Sequence, residues 1–294
     1  MRRADRAGFT LIELLVVIAI VAVLAGLTLG GVQKVRATAA RARCADQVRQ
    51  LGLALHQYHD AHRSFPAGVS YQGGKSPQPH MTWLTRILPY VEQETLWRQS
   101  VAAFEQDKFF ETPPHLPILG RKIALFVCST DAVAQEPWNF GTFTTAYTSY
   151  LGVSGTDLHA WDGVLHTDAA VAIGGITDGT SNTLMVGERA VNDHHNLGWW
   201  YAGWGQAKTG STDSLLGVRE RNETQDLGSC PAGPYHFRPG RTDNRCDVLR
   251  FWSHHPGGAT FGFADGSARF LRYESDPVMP ALGTRAGGES VGLD

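Results

Sequence analysis

The sequence predicts an α+β fold, in which a long N-terminal helix packs on an antiparallel, β-rich globular domain. Three observations support this prediction: an apolar run over residues 9–32, helix-like spacing over residues 33–62, and short alternating runs among many glycines after residue 183. One large domain and the helix together can account for all 294 residues, although this length exceeds the usual single-domain size.

The apolar run at residues 9–32 is long enough to cross a membrane. At a rise of 1.5 Å per residue, about 24 residues span about 30 Å of hydrocarbon. A secretory signal peptide would have a shorter apolar region and a small-residue cleavage site after it, whereas here a helical pattern continues beyond the run. We therefore expect a membrane anchor and not a discarded signal.

Three arginines, Arg2, Arg3 and Arg6, precede the apolar run. The positive-inside rule places such a segment in the cytoplasm and the rest of the chain across the membrane. We expect a single-pass protein of the inner (cytoplasmic) membrane, with its C-terminal domain in the periplasm or at the cell surface. The predicted parts are a leader peptide at 1–8, a transmembrane helix at 9–32, a helical extension at 33–62 and an exported β-rich domain at 63–294.

Helical spacing continues after the apolar run. The apolar positions of this extension are Val35, Val48, Leu51, Leu55 and Tyr58. Its end is predicted near Arg63, because Pro66 and Gly68 follow closely. A second helical stretch is expected over residues 83–97, interrupted or entered at Pro89.

The β-structure is predicted from two short strands and one hairpin. The strand candidates are residues 122–128 and 183–186. Asp265-Gly266 is a strong signal for a two-residue type I′ turn. Such a turn pairs Ala264 with Ser267, Phe263 with Ala268, and Phe261 with Phe270.

The charges are nearly balanced, with 26 basic and 28 acidic residues and a formal net charge of −2. Loss of the leader would leave the mature chain mildly acidic. A nucleic-acid partner is therefore not expected.

The four cysteines, Cys44, Cys128, Cys230 and Cys246, form no C-x-x-C pair, so a structural zinc site or a thioredoxin-like motif has no support. In an exported domain we expect disulfides. The favoured pairings are Cys230 with Cys246, which flank a loop rich in Pro, Gly and Asn, and Cys44 with Cys128. Four free buried thiols are the alternative.

The segment Gly8-Phe9-Thr10-Leu11-Ile12-Glu13, followed by an apolar helix, resembles the prepilin cleavage and methylation segment of type IV pilins and type II secretion pseudopilins. The resemblance implies cleavage after Gly8 by a prepilin peptidase and methylation of the new amine on Phe9. It also implies that Glu13 meets the N-terminal amine of an identical or related pilin-like subunit. Pairing the two charges offsets part of both desolvation costs. A plain anchor whose Glu13 reaches the membrane interface is the alternative.

Further phrases resemble a large planctomycete family of unknown function that pairs a prepilin-type start with a C-terminal H-x(9)-D-G motif. The motif residues here are His255, Asp265 and Gly266. The other matching phrases are residues 55–62, 126–128 and 176–183, the last leading to Glu188. Residues 129–131 read Ser-Thr-Asp where the family has Pro-Ser-Asp, which we expect to alter a turn. The resemblance implies location and a pilin-like architecture, and we expect structural roles for His255 and Asp265.

No metal or cofactor is predicted, with calcium as the one candidate. His56, His59 and His62 lie on a helix, but the outer two diverge by about 120°, so the three cannot share one ion. Three Asp-Gly pairs, at Asp162, Asp178 and Asp265, could offer oxygens to calcium but read more simply as turns, because no EF-hand spacing is present.

The sequence predicts no catalytic residue and no enzyme, since neither G-x-S-x-G nor H-E-x-x-H occurs. Two functions are left: a membrane-anchored, pseudopilin-like structural or assembly subunit exported through the prepilin pathway, or a surface-anchored ligand-binding module. Trp199, Trp200, Tyr201 and Trp204 suggest carbohydrate as a ligand of such a module, although core packing is the favoured explanation for them. Glu13 favours the assembly subunit.

Overall fold

The computed structural model describes residues 11–223 and 227–289. The chain divides into two compact units, residues 1–42 and residues 43–294. Gly8 and Phe9, the predicted processing residues, lie outside the described residues.

Helix α1 extends over Leu11–His62. In the first unit its apolar side chains are open to the surroundings, with Leu11, Val17 and Val23 each 48% exposed or more. By length and composition this helix can cross a membrane. Glu13 lies in its first turn.

The part of helix α1 in the second unit has one buried face. Cys44, Val48, Leu51 and Leu55 are at most 1% exposed, and their three- and four-residue spacing brings them to one side of the helix. Burying each Val or Leu contributes about 1.5–3 kcal/mol. The helix ends at His62 because Arg63 adopts a left-handed conformation, with φ of 65°.

The remaining helices are short apart from one. The α-helices are α2 (Trp83–Arg86), α3 (Glu94–Gln106), α4 (Leu116–Leu119) and α5 (Met279–Gly283). Between α2 and α3 lies a 3₁₀ turn over Leu88–Val91, with Pro89 inside it, so the predicted interruption at Pro89 is confirmed. Thr82 begins α2 by accepting a hydrogen bond from the Thr85 N–H at 3.3 Å.

Among the described residues, seven strands form two sheets. They are β1 (Trp138–Asn139), β2 (Thr144–Thr145), β3 (Tyr150–Gly155), β4 (Leu184–Glu188), β5 (Leu215–Gly217), β6 (Gly258–Phe263) and β7 (Ala268–Arg272). The larger sheet has the order β5-β3-β4-β6-β7. Its pairs are antiparallel except β3 with β5, which is parallel. The predicted α+β class is therefore confirmed.

The strand predicted at residues 122–128 is wrong. The chain instead makes a 3₁₀ turn over Ala124–Phe126. The carbonyls of Ala124 and Val127 accept hydrogen bonds from the Gln47 side chain of α1, at 2.8 and 3.1 Å. Because a helix side chain satisfies these backbone groups, the segment needs no neighbouring strand.

The register predicted for the hairpin is wrong by one residue. Thr260 lies opposite Phe270 and Gly262 opposite Ala268, so the loop contains Ala264, Asp265 and Gly266. The Gly266 N–H bonds the Phe263 carbonyl at 2.9 Å, and the Phe263 N–H bonds the Ser267 carbonyl at 2.9 Å. Gly266 has a φ of 82°, whereas Asp265 is not left-handed. This is a three-residue loop with a left-handed glycine, not a type I′ turn.

Two apolar layers cover the two faces of the larger sheet. Val48 of α1 approaches Gly262 of β6 on one face. On the other face Phe261 and Phe263 pack with Leu184, Phe251 and Leu271. The hairpin register decides this division, because a shift of one residue would exchange the two faces.

Two disulfides join Cys44 to Cys128 and Cys230 to Cys246, the two pairings expected from the sequence. The first ties α1 to the segment that follows the 3₁₀ turn at Ala124–Phe126. The second, between Cys230 and Cys246, adjoins a small apolar cluster formed by Leu227, Tyr235, Val248 and Leu249.

We predict that Gly266→Val lowers the free energy of unfolding by more than about 1 kcal/mol, because a β-branched residue strongly disfavours a φ of 82°. The space itself is adequate, since an added Cβ would lie 3.5 Å from the His56 ring. Denaturant unfolding of the full chain in detergent measures the change. Asp265→Asn is the control and should be nearly neutral, because its side-chain oxygen can still accept from the Ser267 N–H. Equal effects of the two substitutions would contradict the prediction.

Candidate functional site

Four buried polar side chains meet where α1 contacts the sheet. They are Cys44, Cys128, Glu188 and His255, and one potential ligand atom from each lies within 4.8 Å of the others. They come from α1, from the segment after a 3₁₀ turn, from the end of β4 and from the segment before β6. In the part of the chain that the structure describes, this is the one such group of three or more His, Cys, Asp or Glu side chains.

Glu188 is the last residue of β4 and is 1% exposed. Its backbone lies opposite Tyr150 of β3, which fixes it in the middle of the sheet. The Thr260 N–H donates a hydrogen bond to Glu188 Oε2. Glu188 Oε1 faces His255 Nε2 at 3.5 Å and has no hydrogen-bond partner among the described residues. One carboxylate oxygen is thus held by the backbone while the other points at the cluster.

His255 is 3% exposed and is oriented by its neighbours in the chain. Its N–H donates to Ser253 Oγ at 3.0 Å, and that hydroxyl donates to the Gly258 carbonyl at 2.8 Å. The ring nitrogen Nε2 lies 3.4 Å from Cys128 Sγ. The imidazole therefore stands between the disulfide and Glu188.

Asp265 and Gly266, the other two residues of the C-terminal motif, lie in the hairpin loop and not in the cluster. Asp265 accepts a hydrogen bond from the Ser267 N–H at 2.8 Å inside the hairpin loop, and Gly266 makes the left-handed turn of that loop. His255 contacts Cys128 and Glu188 instead.

A small cavity adjoins the disulfide and is lined by Cys128, Thr130, Asp131, Ser149, Glu188, Ala190, Ser253 and His254. Asp131 is 1% exposed. Its carboxylate accepts hydrogen bonds from Ser149 Oγ at 2.8 Å and from the Val191 N–H at 3.0 Å. His254 Nε2 lies 3.8 Å away. The cavity wall beside Cys128 is therefore polar.

Burial dominates the electrostatics around the cluster. It raises the pKa of Asp131, despite the hydrogen bonds that favour the ionised carboxylate. It also raises the pKa of Tyr150 well above its usual value, with a further contribution from the Glu188 charge. The Tyr150 hydroxyl donates to Gln47 Oε1 of α1 at 2.8 Å, so the phenol stays protonated and links the helix to the sheet.

The three histidines of α1 contact protein groups. His59 Nε2 accepts a hydrogen bond from the Ile173 N–H at 3.3 Å, and His62 stacks on Tyr58 at 4.1 Å. His56 and His59 both pack against Phe65, with ring centroids at 5.5 and 4.9 Å. His62 thus lies against a different neighbour from the other two.

The carboxylates of Asp162 and Asp178 accept backbone hydrogen bonds, the first within a local turn and the second from a segment distant in sequence. Asp162 accepts from the Thr156 N–H at 2.7 Å, and Asp178 accepts from the Gly287 and Gly288 N–H groups at 2.7 and 2.9 Å. These contacts engage the carboxylate oxygens of Asp162 and Asp178. That the chain holds no metal or cofactor, with calcium as the one candidate, stays a prediction.

The tryptophan run lies mostly inside the domain. Trp199 is 7% exposed, while Trp200 and Tyr201 are 0% exposed, so their faces are not open to a sugar. Trp199 also borders a wider cleft, together with Phe140, Phe143, Asn192, His194, Asn196, Leu197, Leu227 and Arg245.

Comparison with known families gives two matches. Residues 3–29 match the prokaryotic N-terminal methylation motif, which together with the long apolar helix defines a membrane-anchored substrate of the prepilin pathway. Residues 33–278 match the family described as protein of unknown function (DUF1559), and the chain belongs to that family. No curated protein and no solved structure matches it.

The sequence identifies each residue of the cluster separately but does not predict that the four meet. Cys128, Glu188 and His255 each occur in a separate motif phrase, and Cys44 was paired correctly with Cys128. The four residues meet because β4 and β6 are neighbours in the sheet. The sequence does not predict this strand order. Asp131 was read only as part of a turn.

We predict that the free energy of unfolding falls with rising pH more steeply in the parent chain than in Asp131→Asn. A carboxyl group whose folded-state pKa is raised stabilises the fold below its unfolded pKa, about 3.9, and that contribution is lost as the pH rises through the folded pKa. Unfolding titrations from about pH 4 upward measure the slope. Asp213, whose pKa burial raises to about 6, is common to both proteins and cancels in the comparison.

Asp243→Asn is the control for this prediction. The exposed Asp243 has its pKa lowered by its hydrogen bond with Arg241, so its contribution appears as the pH rises, with the opposite sign. If the parent and Asp131→Asn had the same slope, burial would not control the ionisation of Asp131.

Proposed function

We propose that the protein is a pseudopilin-like structural or assembly subunit, which the prepilin pathway exports and processes and which contacts identical or related subunits through its N-terminal helix. The observation that carries the proposal is the apolar surface of α1 with an acidic residue in its first turn. The family match leaves the activity open, whereas the methylation motif specifies the export route.

The apolar surface needs a covering that water cannot provide. Leu11, Ile12, Val21 and Val23 are 57–74% exposed, and exposed apolar area costs about 25 cal/mol per Å² relative to burial. Lipid or neighbouring apolar helices would cover it. Lipid suits the leucines, whereas a carboxylate in hydrocarbon is unfavourable, by about 2.5–3.5 kcal/mol at the centre of the bilayer and by less near the end of the span, where Glu13 lies.

The amine of a neighbouring N-terminus can form an ion pair with the Glu13 carboxylate. Cleavage after Gly8 makes Glu13 the fifth residue of the mature chain, and a free α-amine has a pKa of about 7.7–8.0, so it is largely cationic at neutral pH. Pairing this amine with Glu13 of another subunit offsets part of both desolvation costs. Arg2, Arg3 and Arg6 keep the cleavage site on the cytoplasmic side.

We predict that the mature chain begins at Phe9 and that Gly8→Leu leaves the precursor uncut, because a bulky side chain obstructs the peptidase at the scissile bond. N-terminal mass spectrometry of membrane fractions measures the product. Ala7→Leu is the matched control, one residue outside the bond, and should be processed. A mature chain that begins at Met1, or beyond Val32, would overturn the assignment of the leader.

We predict that Glu13→Ala is anchored in the membrane but loses assembly, since the neighbouring amine has no carboxylate to meet. Sedimentation and electron microscopy of material sheared from membranes should show polymers for the parent chain and none for the variant. Asp60→Asn is the control, because this carboxylate lies on the same helix with an 84% exposed side chain, and it should assemble normally.

The alternative function, a surface-anchored ligand-binding module, has one structural feature in its favour. The cleft beside Trp199 places Phe140 and Phe143 near the polar side chains of Asn192 and Arg245. Absence of polymers from the parent chain as well as from Glu13→Ala would favour this module over the subunit.

A further inference from the structure

We propose that the cluster of Cys44, Cys128, Glu188 and His255 binds one zinc ion when its disulfide is reduced, through two thiolates, one imidazole and one carboxylate. The proposal concerns the second unit of the chain and does not depend on the assembly function. Sulfur and nitrogen donors favour zinc over calcium or magnesium, which prefer oxygen.

The distances between the donor atoms support a tetrahedral site. With zinc–nitrogen and zinc–oxygen bonds of about 2.0–2.1 Å and zinc–sulfur bonds of about 2.3 Å, donor atoms stand about 3.3–3.6 Å apart across nitrogen–oxygen and nitrogen–sulfur edges. His255 Nε2 lies 3.5 Å from Glu188 Oε1 and 3.4 Å from Cys128 Sγ. Two edges of the tetrahedron are therefore already present.

The sulfur–sulfur edge is the part that must change. Bonded sulfurs are about 2.05 Å apart, whereas two thiolates on one zinc ion are about 3.7 Å apart. Reduction removes the bond that holds them together, and rotation about the Cα–Cβ bonds can supply the difference. The Cα atoms of Cys44 and Cys128 are 5.4 Å apart, so the ligands need no long movement of the backbone.

The carboxylate gives an independent reason to expect a cation. Glu188 is 1% exposed, and its Oε1 has no hydrogen-bond partner among the described residues although it faces the cluster. A buried carboxylate oxygen that accepts no hydrogen bond is costly, and His255 Nε2, which lies 3.5 Å from it, is itself a ligand atom of the proposed site. The Thr260 N–H holds Oε2 and Ser253 Oγ holds the His255 backbone, so both ligands are fixed by neighbours as metal ligands usually are.

A dithiol can reduce the bond between Cys44 and Cys128. The dithiol gives two electrons and two protons to Cys44 and Cys128, their sulfur–sulfur bond breaks, and the dithiol becomes a disulfide. Zinc then displaces the two thiol protons and binds the thiolates. Exchange with a small disulfide re-forms the bond between Cys44 and Cys128, releases the ion and reduces the small disulfide to two thiolates, which take protons from water. In both states α1 stays linked to the segment that contains Cys128.

The test uses the full chain in detergent, without a polyhistidine tag, and with Cys230→Ser and Cys246→Ser so that Cys44 and Cys128 are the remaining cysteines. A phosphine reductant opens the disulfide, and Co²⁺ serves as the probe. We expect one equivalent of Co²⁺ to give tetrahedral d–d bands and a thiolate-to-metal charge-transfer band. One equivalent of Zn²⁺ should remove both. The oxidised protein should give neither.

Ligand variants test the other two donors in the reduced protein. His255→Gln and Glu188→Gln should each weaken zinc binding by about 10-fold or more, and His255→Gln should also shift the d–d bands. His254→Gln is the matched control, because His254 lines the adjoining cavity but is outside the cluster. It should bind zinc like the parent chain.

Two outcomes would overturn the proposal. One is a reduced parent chain that shows no thiolate-to-cobalt band, a result that requires no ligand variant to fold. The other is binding that His255→Gln and Glu188→Gln leave unchanged in proteins whose circular dichroism matches the parent, which would mean that two thiols capture the ion unaided.

Discussion

The contact between one face of helix α1 and the larger sheet is the interaction on which the second unit depends. Val48, Leu51 and Leu55 are buried completely or nearly so. The sheet and its hairpin loop can approach this face because glycines lie on both sides of the contact: a Cβ at Gly262 of β6 would lie 2.9 Å from the Val48 side chain, and one at Gly52 of α1 would lie 3.3 Å from Gly266. Small residues at these positions set the distance between helix and sheet, and other side chains pack to fit it.

The same contact explains why polar groups are buried beside it. Excluding water from the helix–sheet boundary raises the cost of every charge there, so each buried carboxylate must be met by donors. The Asp131 carboxylate accepts hydrogen bonds from Ser149 Oγ and the Val191 N–H, and the Glu188 carboxylate accepts one from the Thr260 N–H. Strand ends and loops carry these donors, which places the polar cluster where β4, β6 and α1 meet.

Helix ends and strands that depend on local periodicity could be predicted from the sequence. Features that depend on strand pairing or on contacts distant in sequence could not. The helix end near Arg63, the strand predicted at residues 183–186 and found at Leu184–Glu188, and the break at Pro89 follow from spacing and from residues that stop a helix. Residues 122–128 look like a strand locally, yet Gln47, which is far away in sequence, satisfies their carbonyls. The Asp-Gly pair predicts a hairpin but not its loop length, because the type I′ turn and the three-residue loop share the same glycine.

The site was beyond prediction for a related reason. Each residue of the cluster was visible in a separate phrase, but a site is a set of distances, and those distances follow from the strand order. The aromatic run shows the opposite case: Trp200 and Tyr201 have the chemistry of a sugar-binding surface, and only their burial shows that they belong to the core. Residue type thus predicts which ligand a side chain could bind, whereas exposure decides whether that ligand can reach the side chain.

The position of Cys44 determines which part of helix α1 the disulfide holds. Among the residues of α1 whose burial is described, Cys44 is the first that is fully buried, so its bond to Cys128 fastens the helix where its side chains enter the core. The bond closes a loop of 84 residues, and in the chain-entropy model such a loop destabilises the unfolded chain by about 4.5 kcal/mol. Both cysteines belong to the second unit. The stabilisation therefore acts within that unit, and it leaves the apolar surface of residues 11–26 available for contacts with lipid or other helices.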